Sequence, residues 1–173
     1  GSWSFLTSHW VAYRAYIGGA SQRPRGQAMI KRYGDTPVNG QRYKTRAGVY
    51  AILPRDGKLL LTYQGDPHFE VQLPGGGIDP GESPLQALHR EVFEETGWRI
   101  AQPRKLGSFR RFVFMPDYDM WAEKLCHIYL AHPVRPHGPP REAGHVALWL
   151  DPAEALAELY NDGDADFVAA ACF

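Results

Sequence analysis

Glu91, Glu94 and Glu95 stand at i, i+3 and i+4 in the stretch REVFEETGW, residues 90–98. On a helix that spacing crowds three carboxylates onto one side, at a cost of about 0.2–0.5 kcal/mol per like-charged pair. Upstream, Glu82 closes the glycine-rich run GGGIDPGE, residues 75–82. Four glutamates without Cys or His form an oxygen-only donor set of high negative charge. Such a set suits a hard divalent cation, Mg²⁺ or Mn²⁺, rather than Zn²⁺. A bound cation turns the repulsion into ligation. Gly75, Gly76 and Gly77 carry no side chain, so backbone can approach closely and its amides can face ligand oxygens, a substrate-binding role for Gly75 and Gly76. Arg90 lies one turn before Glu94, where an i,i+4 ion pair is available. A glutamate-rich helix end by itself is most often a solvated face. The glycine loop and Glu82 at fixed spacings set this one apart.

These side chains need a helix to hold them. Ser83 supplies an N-cap, Pro84 the first helical position, and Gln86 completes a capping box. Leu85, Leu88 and Val92 form an apolar stripe, and Gly97 is the expected terminator, so the spacing predicts a helix over about residues 84–96. Glu91 and Glu95 flank the stripe, with Glu94 just beyond, at the boundary between core and solvent. Before the helix, residues 47–54 read as a strand, Asp56-Gly57 as a hairpin turn, 58–64 as the returning strand, 69–74 as a short strand and 75–82 as a loop. After it, residues 105–114 and 121–131 read as longer strands joined by MPDYD. A proline-rich connection, a strand at 146–150, a helix opening at Asp151-Pro152 and an apolar tail follow. Strands on both sides of one well-marked helix predict an α+β fold, a mixed sheet in a layered α/β/α arrangement. Residues 35–173 form one domain behind an N-terminal extension, residues 1–34.

Gly76, Glu82 and Arg90-Glu91-Val92-Phe93-Glu94-Glu95-Thr96-Gly97-Trp98 resemble the Nudix box, G-x5-E-x7-R-E-U-x-E-E-x-G-U, the signature of the Nudix hydrolases. All seven fixed identities are present, a coincidence expected about once in 10⁹ windows at about 5% usage per residue type. Val92 and Trp98 fill the hydrophobic positions, Trp98 with an aromatic ring where aliphatics are commoner. The resemblance implies a Mg²⁺-dependent hydrolase that splits the phosphoanhydride of a nucleoside diphosphate linked to a moiety X. It implies Glu91 and Glu95 as metal ligands and Glu94 as a ligand or water-orienting group. Glu82 becomes a further ligand or a support, and Arg90 the residue that orients the glutamates. The general base comes from the box or from a later loop, with Glu142, His145 and Glu123 as candidates, whereas His127 reads as a sheet histidine. The other reading is a catalytically idle domain that binds nucleotide without turnover.

The X group is open among ADP-ribose or another sugar nucleotide, dinucleoside polyphosphates and (d)NTPs. Pro116 and Tyr118 fall only loosely where ADP-ribose and diadenosine polyphosphate hydrolases of the family carry Pro and Tyr. Tyr118, Trp121, Phe112 and Phe114 could stack a base, and Arg46, Arg110 and Arg111 could meet phosphates. Arg46 and Tyr118 are assigned to substrate binding. Lys plus Arg equals Asp plus Glu at 19 each, and the sequence shows no basic, aromatic-laced stripe, which argues against nucleic acid as a partner. No apolar run approaches the ~20 residues of a membrane span. Cys126 and Cys172 read as core thiols, which fits a cytoplasmic location. The extension has no acidic residue but five basic ones, the composition of a transit peptide. Phe5, Leu6, His9, Trp10, Tyr13, Tyr16 and Ile17 nonetheless recur at helical spacing before Gly18-Gly19, predicting a helix packed on the core or on a second copy in a homodimer. Gly1-Ser2 has the look of a tag scar, with Met29 as the natural start.

Overall fold

Asp56 and Gly57 both take positive φ, 51° and 76°, and make the hairpin turn that their types predict. In the computed structural model, which describes residues 30–173, this turn joins β3 (Pro54–Arg55) to β4 (Lys58–Gln64). The helix expected over residues 5–17 lies outside the described residues. Strand β4 also pairs antiparallel with β5 (Glu70–Gln72) and with β9 (His145–Leu150), completing a four-stranded sheet. The second sheet has the order β1-β7-β8-β2-β6, with β1 (Arg32–Gly34), β2 (Lys44–Ile52), β6 (Gly75–Gly77), β7 (Trp98–Met115) and β8 (Met120–Pro136). It is mixed: β1 runs parallel to β7 and β2 parallel to β8, while β7/β8 and β2/β6 are antiparallel.

Two-residue periodicity sends side chains to two cores. Val49, Ala51, Leu53, Leu60, Tyr129 and Ala131 pack with Ala87, Leu88 and Val92 of helix α1 (Pro84–Thr96). Their sequence neighbours Ile52, Leu59, Leu61, Ile128 and Leu130 pack on the other side. There they meet Ala155 of α2 (Pro152–Glu158) and Val168, Ala171 and Cys172 of α3 (Asp162–Cys172). Helices therefore cover both faces, in an α+β fold with a mixed sheet. Cys126 and Cys172 are free and buried, and burial pushes both thiols up to about 12. No described helix is long and apolar enough to cross a membrane.

Helix α1 begins and ends where its caps dictate. The Ser83 hydroxyl accepts from the Gln86 N–H at 3.2 Å, and the Gln86 side chain accepts from the Ser83 N–H at 2.9 Å. Gly97 takes φ 76° and donates its N–H to the Phe93 carbonyl at 2.8 Å. Two local expectations give way to tertiary pairing, and a third to a local cap. Residues 75–77, expected in a loop, form edge strand β6, because the open side of β2 supplies partners for glycine backbone whatever its propensity. Strands β7 and β8 run further than expected, past Pro103 and Pro133. Register shifts between Arg99 and Gly107 absorb the interruption. The apolar tail is helix α3, started by the Asn161 side chain accepting from the Gly163 N–H at 2.8 Å.

Candidate active site

Arg90 gathers the acids. Its Nε donates to Glu82 Oε2 at 2.7 Å, one terminal nitrogen to Glu91 Oε1 at 2.9 Å and Glu94 Oε2 at 3.2 Å, and the other to Glu82 Oε1 at 2.9 Å and the Gly77 carbonyl at 3.1 Å. The expected Arg90–Glu94 pair is thus one spoke of a wider clamp that joins the glycine strand, Glu82 and the helix. Glu82 spends both oxygens on Arg90, and the Asp79 N–H adds a bond at 3.1 Å. Those bonds hold the Glu82 carboxyl down to about 2, the Arg90 contact contributing most.

Glu95 is nearly buried at 5% exposure and accepts from the Gly75 N–H at 3.1 Å. Burial pushes its carboxyl well above the ordinary range, the Gly75 bond opposes this, and the neighbouring glutamates add to it. Glu91 shifts upward for the same first reason, against the pull of Arg90. A Cβ on Gly76 would lie 2.6 Å from the Glu91 carboxyl carbon, so only glycine leaves room for that group.

Glu142 arrives from the loop between β8 and β9. The N–H groups of Arg141 and Glu142 donate to the Glu94 carbonyl at 2.7 and 2.9 Å, and the His137 N–H donates to the Gly97 carbonyl at 2.8 Å. This loop therefore caps the last turn of α1, using carbonyls that a helix end leaves without partners. As a result Glu91, Glu94 and Glu142 bring carboxylate oxygens within 4.8 Å of one another, and Glu95, Glu142 and His145 do the same with their ligand atoms. His145 shares its Nδ1 with the Thr62 hydroxyl at 2.9 Å, and its Nε2 lies 3.8 Å from Glu142. Burial lowers its pKa, which keeps the ring neutral at pH 7. The donors are carboxylates with one imidazole at the margin, a chemistry that fits a hard divalent cation.

Of the three candidates for a base, the fold brings Glu142 and His145 to the cluster, while Glu123 binds Arg110 at 2.7 Å. His127 shares its Nδ1 with the Ser108 hydroxyl at 2.7 Å across β7 and β8. Phe112 and Trp121 each pack on Tyr43, and Phe114 on Trp121, while Tyr118 is the most exposed of the four aromatic candidates at 63%.

Lys124 escaped the sequence reading. Register pairs it with Arg46 on β2 and with Arg111 on β7, so three cations line up across adjacent strands. The Arg46 guanidinium lies 5.5 Å from the Tyr118 ring centroid and that of Arg111 5.4 Å from Tyr160. Arg111 and Lys124 share a cavity of about 60 Å³ with Tyr50, Asn161 and Asp164. Positions 46, 111 and 124 lie too far apart in sequence for any local signal to reveal the row.

Comparisons with known proteins place the chain in a family. The family profile of the NUDIX domain matches residues 42–171. A CTP pyrophosphohydrolase of Escherichia coli is 35% identical over 112 residues, 62% of this chain and 77% of that protein. An RNA pyrophosphohydrolase of Pectobacterium atrosepticum is 38% identical over 76 residues, 44% of this chain, and the match spans only 42% of that relative. The structure of a NUDIX hydrolase from Nitrosomonas europaea superposes with a TM-score of 0.61 at 24% identity, covering 73% of this chain and 88% of that one. With the box folded as a loop and helix around a carboxylate cluster, and with the family profile spanning both sheets, the chain belongs to the Nudix hydrolase family.

Proposed function

We propose that the chain is a divalent-cation-dependent pyrophosphohydrolase that cleaves a phosphoanhydride of a nucleotide, with Mg²⁺ or Mn²⁺ as the ion. One observation carries the reading: Glu142, more than forty residues beyond Glu94 in sequence, completes a carboxylate cluster with Glu91, Glu94 and Glu95. Arg90 reaches neither Glu95 nor Glu142, so their approach to the cluster adds repulsion that a cation would relieve. When bound, the cation would supply positive charge against the phosphate oxygens and make a water easier to deprotonate.

The chain's own residues do the rest. Arg90 fixes the rotamers of Glu82, Glu91 and Glu94, and the Gly75 N–H fixes Glu95. Glu82, saturated by Arg90, supports the cluster rather than ligating. Glu142 takes the water's proton at its carboxylate, the most solvent-open of the group in the loop that α1 holds. The Arg46 guanidinium lies beside Tyr118, so the pair offers a charge to the nucleoside-bound phosphate and a ring to the base. A nucleoside triphosphate leads the candidate substrates, because the CTP pyrophosphohydrolase match covers most of that relative.

Product release from a panel of (d)NTPs, ADP-ribose, diadenosine polyphosphates, NADH and sugar nucleotides, with Mg²⁺ and with EDTA, tests this. Metal-dependent turnover is expected, with Glu142→Gln lowering kcat by about 10²- to 10⁴-fold at little change in KM. Nucleotide binding with no turnover on any member would establish the idle sensor instead.

A further inference from the structure

Phe93 occupies the variable position of the box, yet two guanidiniums and an imidazole meet its ring. The Arg99 guanidinium lies 3.8 Å from its centroid, that of Arg141 4.5 Å, and the His137 ring meets its edge at 6.0 Å. Arg135 stands directly opposite Arg99 across β7 and β8, a like-charge pairing that disfavours the sheet. Neither Arg99 nor Arg141 has a carboxylate partner among the described residues. Uncompensated guanidiniums gathered on one ring are an arrangement that an anion would relieve.

The surroundings say which anion. Phe93, Arg99, Arg141, Glu94 and Glu142 line one cleft of about 960 Å³ beside α1. The two guanidiniums thus share a cleft with the carboxylate cluster, and none of its lining residues lines the cavity of Arg111, Lys124 and Asp164. The Arg141 backbone is held against the helix end, its N–H donating to the Glu94 carbonyl. Resting on the hydrolytic reading of the glutamates, we propose that Arg99 and Arg141 form the subsite for the phosphate groups beyond the scissile anhydride. Their ligand is the departing diphosphate. Each guanidinium can fork onto one phosphate group, so two of them gathered on one ring suit a diphosphate.

Inorganic pyrophosphate, titrated by calorimetry into the full chain with Mg²⁺ present, tests the subsite. Saturable binding is expected, weakened about tenfold or more in Arg99→Gln and in Arg141→Gln, the weight of one charge-assisted contact. Arg141→Lys, which keeps the charge but not the fork, recovers part of the loss. Both arginines are exposed, so the substitutions leave no buried group without a partner. The readout that separates recognition from damage is the rise in Tm on adding pyrophosphate, which the Gln variants lose. Equal affinity in the unchanged chain and both Gln variants, or no saturable binding, overturns the subsite. The titration reads binding and not turnover, so its failure is distinguishable. An inactive chain that still holds pyrophosphate through Arg99 and Arg141 leaves the subsite standing and sinks only the hydrolase reading.

Discussion

Asp164 shows what a single buried carboxyl does to this fold. It is 4% exposed in α3, and burial raises its pKa from 3.8 to about 7 against the pull of Arg111, the Leu73 N–H and Lys124. Below about pH 4 folded and unfolded chains both hold the proton. Between about pH 4 and 7 only the folded chain holds it, so stability falls as pH rises through that window and levels off above it. Asp164→Asn keeps an acceptor for Leu73 and removes the buried charge. It should gain about 1–4 kcal/mol at pH 8 and flatten the profile between pH 4 and 7, read from urea unfolding across that range. Parallel curves for the two proteins would contradict the assignment. The residue scale is also where sequence reading was strongest for the box and weakest elsewhere. Glu91, Glu94 and Glu95 advertise themselves through local spacing, whereas Glu123 and Glu142 look alike until the fold ties one to Arg110 and brings the other to the cluster.

Helix α1 and the loop that follows β8 act as one element. Gly97 has φ 76°, and a Cβ there would strike the Gly138 carbonyl, so the position admits glycine both for its dihedral and for the approach of the loop. Gly97→Ala should therefore destabilise by more than about 1 kcal/mol, measured by urea denaturation. Because the displaced loop carries Glu142, kcat should fall further than lost stability explains. An Ala variant that is unstable but fully active would uncouple the loop from catalysis. The helix itself was legible from its caps, Ser83, Gln86 and Gly97, because capping is satisfied within a few residues. Strand β6 was not: three glycines have no strand propensity, and only the unpaired edge of β2 makes them one.

At the level of the whole molecule, the glutamate cluster is a cost that a ligand removes. Glu95 is buried and Glu91 half-buried beside like charges, with their carboxyls pushed upward by that burial. Adding Mg²⁺ at about a hundredfold excess over its Kd should stabilise the chain by about 2.7 kcal/mol. For a domain of this size that corresponds to a Tm rise of about 5–10 °C. In Glu95→Gln the metal-free protein should melt no lower than the unchanged chain, and the Mg²⁺-induced rise should shrink. A full-sized Mg²⁺ response in that variant would place the ion elsewhere.

The row of Arg46, Lys124 and Arg111 and the meeting of Arg99 with Arg141 on Phe93 belong to this largest scale. The chain's 19 basic residues are dispersed, and balanced in number by its acids, so no stretch of sequence looks basic. Alignment across β2, β8 and β7 makes the stripe that the linear reading did not contain. Amino-acid sequence alone determined the helix limits, the carboxylate-bearing face and the family, because capping, periodicity and motif spacing act over a few residues. Tertiary structure decided which distant acid joins the cluster and where the cations gather. Those outcomes depend on strand register and on a loop docked to a helix end, interactions whose partners are set only when the sheet closes.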